Sequence, residues 1–372
     1  MSKKRLLLVS PFPNSQDNYP HLSNLIDELS MYYEIDYFYG HERGVWIERI
    51  FQYLKTNLFR KQAYRPFYYI IKDIIFLYKK RHHQYDAILA IDNFLYIITS
   101  LIFQQKTILW SHDFVSRDQQ KYKSKIQRLI AKLTKKILKK NSKLIIQDEE
   151  RLDVLLESLE FNEMEMPEKI FFLPVSLNPA KVSKKKYKLS SKKERNVPTL
   201  MQIGGINSFR SGSDELIKCY QENFDDFNLI LHGFISNEIQ KLLGEVDVLP
   251  LVSSLTLPAD QISQLVDMCD IGFINYVTED LNFYYISNSS GQLVEFMRCS
   301  KPVIVKGNTN LRQYVEEKQV GVAIEKIDEL VPAIHKIHNK YVDYSSNCRK
   351  KFDELYNLKS YIKKLLLYLE DN

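Results

Sequence analysis

At 372 residues the chain exceeds what one hydrophobic core usually serves, so two domains are expected. Its 45% hydrophobic and 26% charged residues exclude disorder beyond short segments, and a net charge of +6 is too modest to imply nucleic acid. Cys219, Cys269, Cys299 and Cys348 form no Cys-x-x-Cys pair, which argues against a zinc knuckle or a disulfide scaffold and fits a reducing cytosol. The first 13 residues offer only Leu6, Leu7, Leu8 and Val9 as an apolar run, too short for a signal peptide. No run approaches the roughly 20 apolar residues of a membrane span. The expectation is a cytoplasmic protein, free or peripheral on the inner face of the cell membrane.

Short apolar runs then alternate with longer helical patterns. Residues 6–10, 35–38, 87–91, 107–110, 144–146 and 170–173 read as strands, and the rhythm restarts at 199–203, 228–231, 246–249, 271–274, 303–305 and 321–323. Strands alternating with helices predict parallel sheets covered on both faces, an α/β class with two doubly wound domains and ligand at the strand carboxyl ends. The expected layout is a first domain over 1–178, a basic linker over 179–197 containing Lys184-Lys185-Lys186, and a second domain over 198–344. A helical segment, 345–372, ends the chain.

The most informative stretch is Asn288-Ser289-Ser290-Gly291-Gln292-Leu293-Val294-Glu295-Phe296-Met297-Arg298-Cys299-Ser300-Lys301-Pro302-Val303-Ile304-Val305. It reads as a polar turn, a short amphipathic helix with one acid, a break and an apolar strand. Ser289, Ser290 and Gly291 put small residues where the first helical N–H groups lack partners, which makes an anion site. Glu295 follows about one turn later. The stretch resembles the nucleotide-binding signature of GT-B glycosyltransferases of the family-4 type (glycosyl transferases group 1), where a Lys-Leu-x-Glu-Tyr-like run precedes Gly-Lys-Pro-Val-Ile.

That resemblance implies two Rossmann-like domains facing across a cleft, with the last helix crossing back to the first. It implies transfer from a nucleotide-sugar donor to a saccharide or lipid-linked acceptor, with retention, in cell-surface glycoconjugate synthesis, and with no metal or other cofactor. Glu295 would hold the ribose, and Ser289, Ser290 and Gly291 the diphosphate. Three departures stand out: Gln292 replaces the family's Lys, Ser300 its Gly, and Ser287 the first acid of the fuller Glu-x7-Glu form.

Gly204 and Gly205 end a strand and let backbone approach a phosphate closely. Arg210 follows, able to add a charge-assisted contact, and Ser211 with Asp214 resembles a capping box. A plain βα turn with an exposed Arg is the competing reading. The resemblance puts His232 beside the nucleotide; a satisfied loop histidine is the alternative. It also makes His112, at the end of Thr107-Ile108-Leu109-Trp110-Ser111-His112, the residue that faces the transferred sugar, against a turn-forming role. Asn14, Asp17 and His21 follow the first strand on the acceptor side, with Asp17 the fallback base. No Asp-x-Asp and no Gly-x-Ser-x-Gly occurs.

Ten cations lie between Lys121 and Lys143, with Ile126, Leu129, Ile130, Leu133, Ile137 and Leu138 at helical spacing. That stripe is expected to pack on the sheet, leaving a basic face suited to anionic lipid. No nucleic-acid-binding module is present. Two rivals to the transferase stand beside it, a sugar-nucleotide epimerase and a non-catalytic partner subunit.

Overall fold

The computed structural model describes residues 3–11, 20–39, 74–103, 106–112, 125–162, 165–179, 197–255, 257–276, 281–307 and 309–371. Asn14, Asp17, most of the expected linker and Lys121 to Ser124 lie outside them. The chain divides into one unit of residues 1–173 with 359–372 and another of 174–358.

In the first unit, β1 (Lys4–Ser10), β2 (Tyr33–Tyr39), β3 (Ala87–Ile91), β4 (Thr107–Trp110), β5 (Lys143–Ile146) and β6 (Lys169–Phe172) pair in the order β2-β1-β3-β4-β5-β6. All of the pairings are parallel. Central strands such as β3 are buried along their whole length, as a sheet covered on both faces requires. The final helix, Leu358–Glu370, docks here: Lys143 Nζ donates to the Tyr368 carbonyl at 2.9 Å and the Tyr368 hydroxyl to the Leu144 carbonyl at 3.0 Å.

The second unit repeats the plan. Its strands β7 (Thr199–Ile206), β8 (Asn228–Ile235), β9 (Leu251–Ser253), β10 (Ile271–Asn275), β11 (Val303–Lys306) and β12 (Gly321–Ile324) run in the order β12-β11-β10-β7-β8-β9. Winding reverses between β1 and β3 in one sheet and between β7 and β10 in the other. Such switch points open a crevice at the strand carboxyl ends.

Three sequence expectations change. The strand expected at 246–249 forms at Leu251–Ser253 instead, because Pro250 has no N–H to give a ladder and pairing begins after it. The helical tail is two helices, Tyr341–Leu355 and Leu358–Glu370, broken where Asn357 bridges Leu177. In the basic helix Lys125–Asn141, Thr134 and Leu138 are buried and Ile130, Leu133 and Ile137 half-buried, yet Leu129, expected on the packed stripe, is 53% exposed.

Candidate functional site

The ladder between β7 and β10 ends at Met201 and Gly272, while β7 continues beside β8 to Ile206. Near the end of that longer ladder Gly204 faces Gly233, both at positive φ. A Cβ on Gly233 would stand 1.9 Å from the Gly204 carbonyl oxygen, so the approach requires glycine. Gly204 also lies against Gln292, whose Nε2 is 2.9 Å from where a Gly204 Cβ would be. Gly205 is a strand residue opposite Phe234, not part of a turn.

Arg210 sits on the turn Ser208–Ser211, whose backbone is pegged from below. Asn207 Oδ1 accepts from the Arg210 N–H at 2.7 Å, and buried Gln202 donates to the Ser211 carbonyl at 2.9 Å. The Ser213 hydroxyl donates to Gln202 Oε1 at 2.8 Å. This network replaces the expected capping box: the helix Ser213–Glu222 is capped by Gly212 at φ 55 with no side-chain bond.

A line of contacts joins Arg210 to the helix Gly291–Arg298. Its guanidinium lies 5.9 Å from the Phe283 centroid, Phe283 stacks on Tyr276 at 5.5 Å, and the Tyr276 hydroxyl is 3.0 Å from Ser290 Oγ. Ser290 is the N-cap, accepting from the Leu293 N–H at 3.1 Å. Ser289 Oγ is enclosed without a partner among the described residues. Beyond the cap the helix start is open, since a Cβ on exposed Gly291 would meet nothing within 4 Å. An open helix start with its positive end, joined through Tyr276 and Phe283 to a guanidinium, suits an anion.

Two expected donor residues have partners within the unit. Glu295 is on the buried side of its helix, 3% exposed, and accepts from Arg298 Nη2 three residues on. Arg298 in turn donates to the Asn178 carbonyl at 3.4 Å. Burial raises the Glu295 carboxyl above its usual range, an effect Arg298 opposes. The carboxylate thus has an internal counter-ion. His232 is a strand residue whose Nδ1 lies 3.1 Å from Ser253 Oγ on β9, and burial lowers its pKa. Ser287, at the family's first-acid position, is buried with its N–H on Asn310 Oδ1 at 3.2 Å.

In the first unit the switch point gathers histidines. His112 follows β4, with its ring 5.5 Å from that of His21 and 4.5 Å from that of Trp110. Its N–H reaches Asp92 Oδ1 at 3.4 Å, and Arg151 donates to its carbonyl. Arg151 is 2% exposed; Asp148 caps its N–H at 2.8 Å and Gln147 Oε1 accepts from its Nε at 3.0 Å. Gln147 also donates to the Ser111 carbonyl at 3.0 Å, so the turn bearing His112 is held from two sides. Asp92 takes φ 67 and ψ 156, a region that is nearly glycine's alone.

Sequence reasoning missed Asp92, Gln147, Arg151 and Phe283. Only the Gln147-Asp148 pair straight after a strand signalled the first-unit set. Asp92 and Arg151 are found by burial and backbone geometry, which pattern does not report.

Both histidine Nε2 atoms are enclosed. Burial lowers His21 to about 4, and burial, then His21 and Arg151, hold His112 well below its usual value. Between about pH 4 and 6.5 the unfolded chain therefore takes up protons that the folded chain refuses, so stability falls as pH falls through this window. Urea unfolding at pH 7.5 and pH 5 should show a loss of up to about 1.4 kcal/mol per pH unit for each histidine. His21→Asn should flatten that slope.

Residues 255–369 match the family model described as Glucosyltransferase 3-like, C-terminal domain. No curated protein matches the sequence. Among solved structures the chain is similar to HepE of Anabaena in complex with UDP-glucose, at 16% identity and TM-score 0.66, over 100% of both chains. Sucrose-phosphate synthase of Thermosynechococcus elongatus matches at 13% identity and TM-score 0.70, over 99% of this chain and 98% of that one. WaaG, a glycosyltransferase involved in lipopolysaccharide biosynthesis, matches at 13% and 0.55, over 95% and 96%.

Proposed function

We propose, for a chain that has the GT-B fold of glycosyltransferases and a glucosyltransferase 3-like C-terminal domain, that it moves a sugar from a UDP-sugar to a saccharide or lipid-linked acceptor. The observation that carries this is the second-unit constellation of Gly204, Arg210, Ser290 and the open start of Gly291–Arg298, at a switch point. The uracil assignment rests on the UDP and UDP-glucose held by HepE.

Charge develops on the departing diphosphate as the glycosidic bond breaks. Arg210 and the helix N–H groups are aimed at that charge, so no bound metal is needed. Retention of configuration is the proposed stereochemistry. The first unit is assigned the acceptor, at the sheet edge where His112 is held neutral and fixed by Asp92 and Arg151.

A lipid-linked acceptor in cell-surface glycoconjugate synthesis, reached from the cytoplasm, fits the helix Lys125–Asn141. Lys132, Lys136, Lys140 and Leu129 are exposed on it, a pairing suited to an anionic membrane surface. Among the described residues no helix is long and apolar enough to cross a membrane.

The test is UDP release from UDP-glucose and related UDP-sugars, with and without saccharide and lipid-phosphate acceptors. Acceptor-dependent release is expected, reduced about 100- to 1,000-fold by Arg210→Ala, the usual cost of removing one such donor. Donor turnover without acceptor would instead identify an epimerase, and UDP binding without turnover a non-catalytic subunit.

A further inference from the structure

The amino edge of the first unit's sheet, opposite the edge that carries His112, holds a cavity of about 650 Å³. Strands begin there: Lys3 and Arg5 lie at the start of β1, Tyr85 and Asp86 just before β3, and Phe103 just before β4. The remaining wall is Arg81, His82, His83 and Gln84, after the helical segment 74–80.

The charges around it do not balance. Arg5 and Lys80 share one carboxylate, Asp36, at 3.1 and 3.4 Å, and the Tyr85 hydroxyl donates to the same oxygen at 2.7 Å. Asp86 Oδ2 is occupied by the Arg5 N–H at 2.7 Å. Lys3 Nζ donates to the Ser30 carbonyl at 2.8 Å and Arg81 Nη1 to the Tyr78 carbonyl at 3.0 Å, and neither forms an ion pair among the described residues. Three of these cations, Lys3, Arg5 and Arg81, line the cavity with one carboxylate, Asp86, and the Arg81 guanidinium also lies over the Tyr78 ring, 3.3 Å from its centroid.

Beneath them the floor is apolar. Tyr85 and Phe103 are buried with ring centroids 6.0 Å apart, and Ile102 completes the surface. Unbalanced cations over an apolar floor suit an anion carried on a larger body, and a guanidinium fork beside an ammonium matches phosphate oxygens. We propose that this cavity is a second binding site, for a phosphate group borne by a small molecule or a lipid headgroup. None of its residues belongs to the donor or His112 sites.

The test uses the full chain with UDP present, so that the donor site is filled. One arm is calorimetry with glycerol 3-phosphate; the other is flotation with phosphatidylcholine vesicles containing phosphatidic acid. Lys3→Ala/Arg81→Ala should weaken binding in at least one arm about tenfold or more, given charge-assisted bonds lost from both residues. Its melting temperature and response to UDP should stay close to wild-type values, since Lys3 is exposed and Arg81 is half-buried against the exposed Tyr78. Arg81→Lys, which keeps the charge and loses the fork, should fall between. Loss confined to glycerol 3-phosphate identifies a soluble ligand, and loss confined to vesicles a headgroup. Equal binding by wild type and double variant in both arms, or no binding of either probe by the wild type, overturns the proposal.

Discussion

Replacing Glu295 with alanine should unfold the second unit more readily, by about 3–5 kcal/mol, the cost of breaking a buried ion pair from one side. Glu295 and Arg298 have side chains 5% and 4% exposed, and the neighbouring Leu293, Val294, Phe296 and Met297 are all buried. Without the acid, Arg298 remains charged among them and has lost the carboxylate it pairs with. Urea unfolding followed by tryptophan-independent circular dichroism measures the loss. Removing both charges separates structure from binding: Glu295→Leu/Arg298→Met should recover most of the stability, as apolar replacement of buried pairs often does. That double variant should also keep UDP affinity close to wild type, because the carboxylate is turned inward. Recovered stability with lost UDP binding would restore the ribose role that the family resemblance implies for Glu295.

The second large effect concerns Gly291. It is the first residue of its helix, it is exposed, and a side chain there meets nothing within 4 Å. An aspartate therefore fits without displacing atoms, and an acid in the first helical turn favours the helix. It also puts a negative charge where the proposed diphosphate must sit. Repulsion between unit charges about 4–5 Å apart at a protein surface is about 3–4 kcal/mol before relaxation, so UDP should bind on the order of 100-fold more weakly. Binding and stability then move in opposite directions, which few substitutions in a binding site achieve.

How much of this was legible beforehand depends on what kind of signal each feature leaves. The βα rhythm is a periodicity, and it located eleven of the twelve strands among the described residues, most clearly central ones such as β3 and β10, because parallel strands buried on both faces are apolar runs. The exception, β9, is short and half exposed, so Leu251–Ser253 carries little pattern, while the apolar residues before Pro250 mimic a strand. The Ser290 cap was legible because capping is local chemistry, and Leu293 N–H on Ser290 Oγ is its geometric form. Glu295 was legible as a residue but not as a partner. The spacing to Arg298 permits a same-face pair on any helix, and only burial makes it an internal counter-ion. Asp92, Arg151 and Phe283 depend on contacts between segments distant in sequence, through His112 and Arg210, and single-residue identity does not announce such contacts.

Calorimetric titration of UDP and UDP-glucose into the wild type and Gly291→Asp, beside thermal melts of both, tests the central claim most directly. The donor-site account predicts one saturable site in the wild type and an affinity loss of about 100-fold in the variant, with a melting temperature equal to or above the wild type's. Equal affinity in the two proteins, or no binding to a folded wild type, would contradict it.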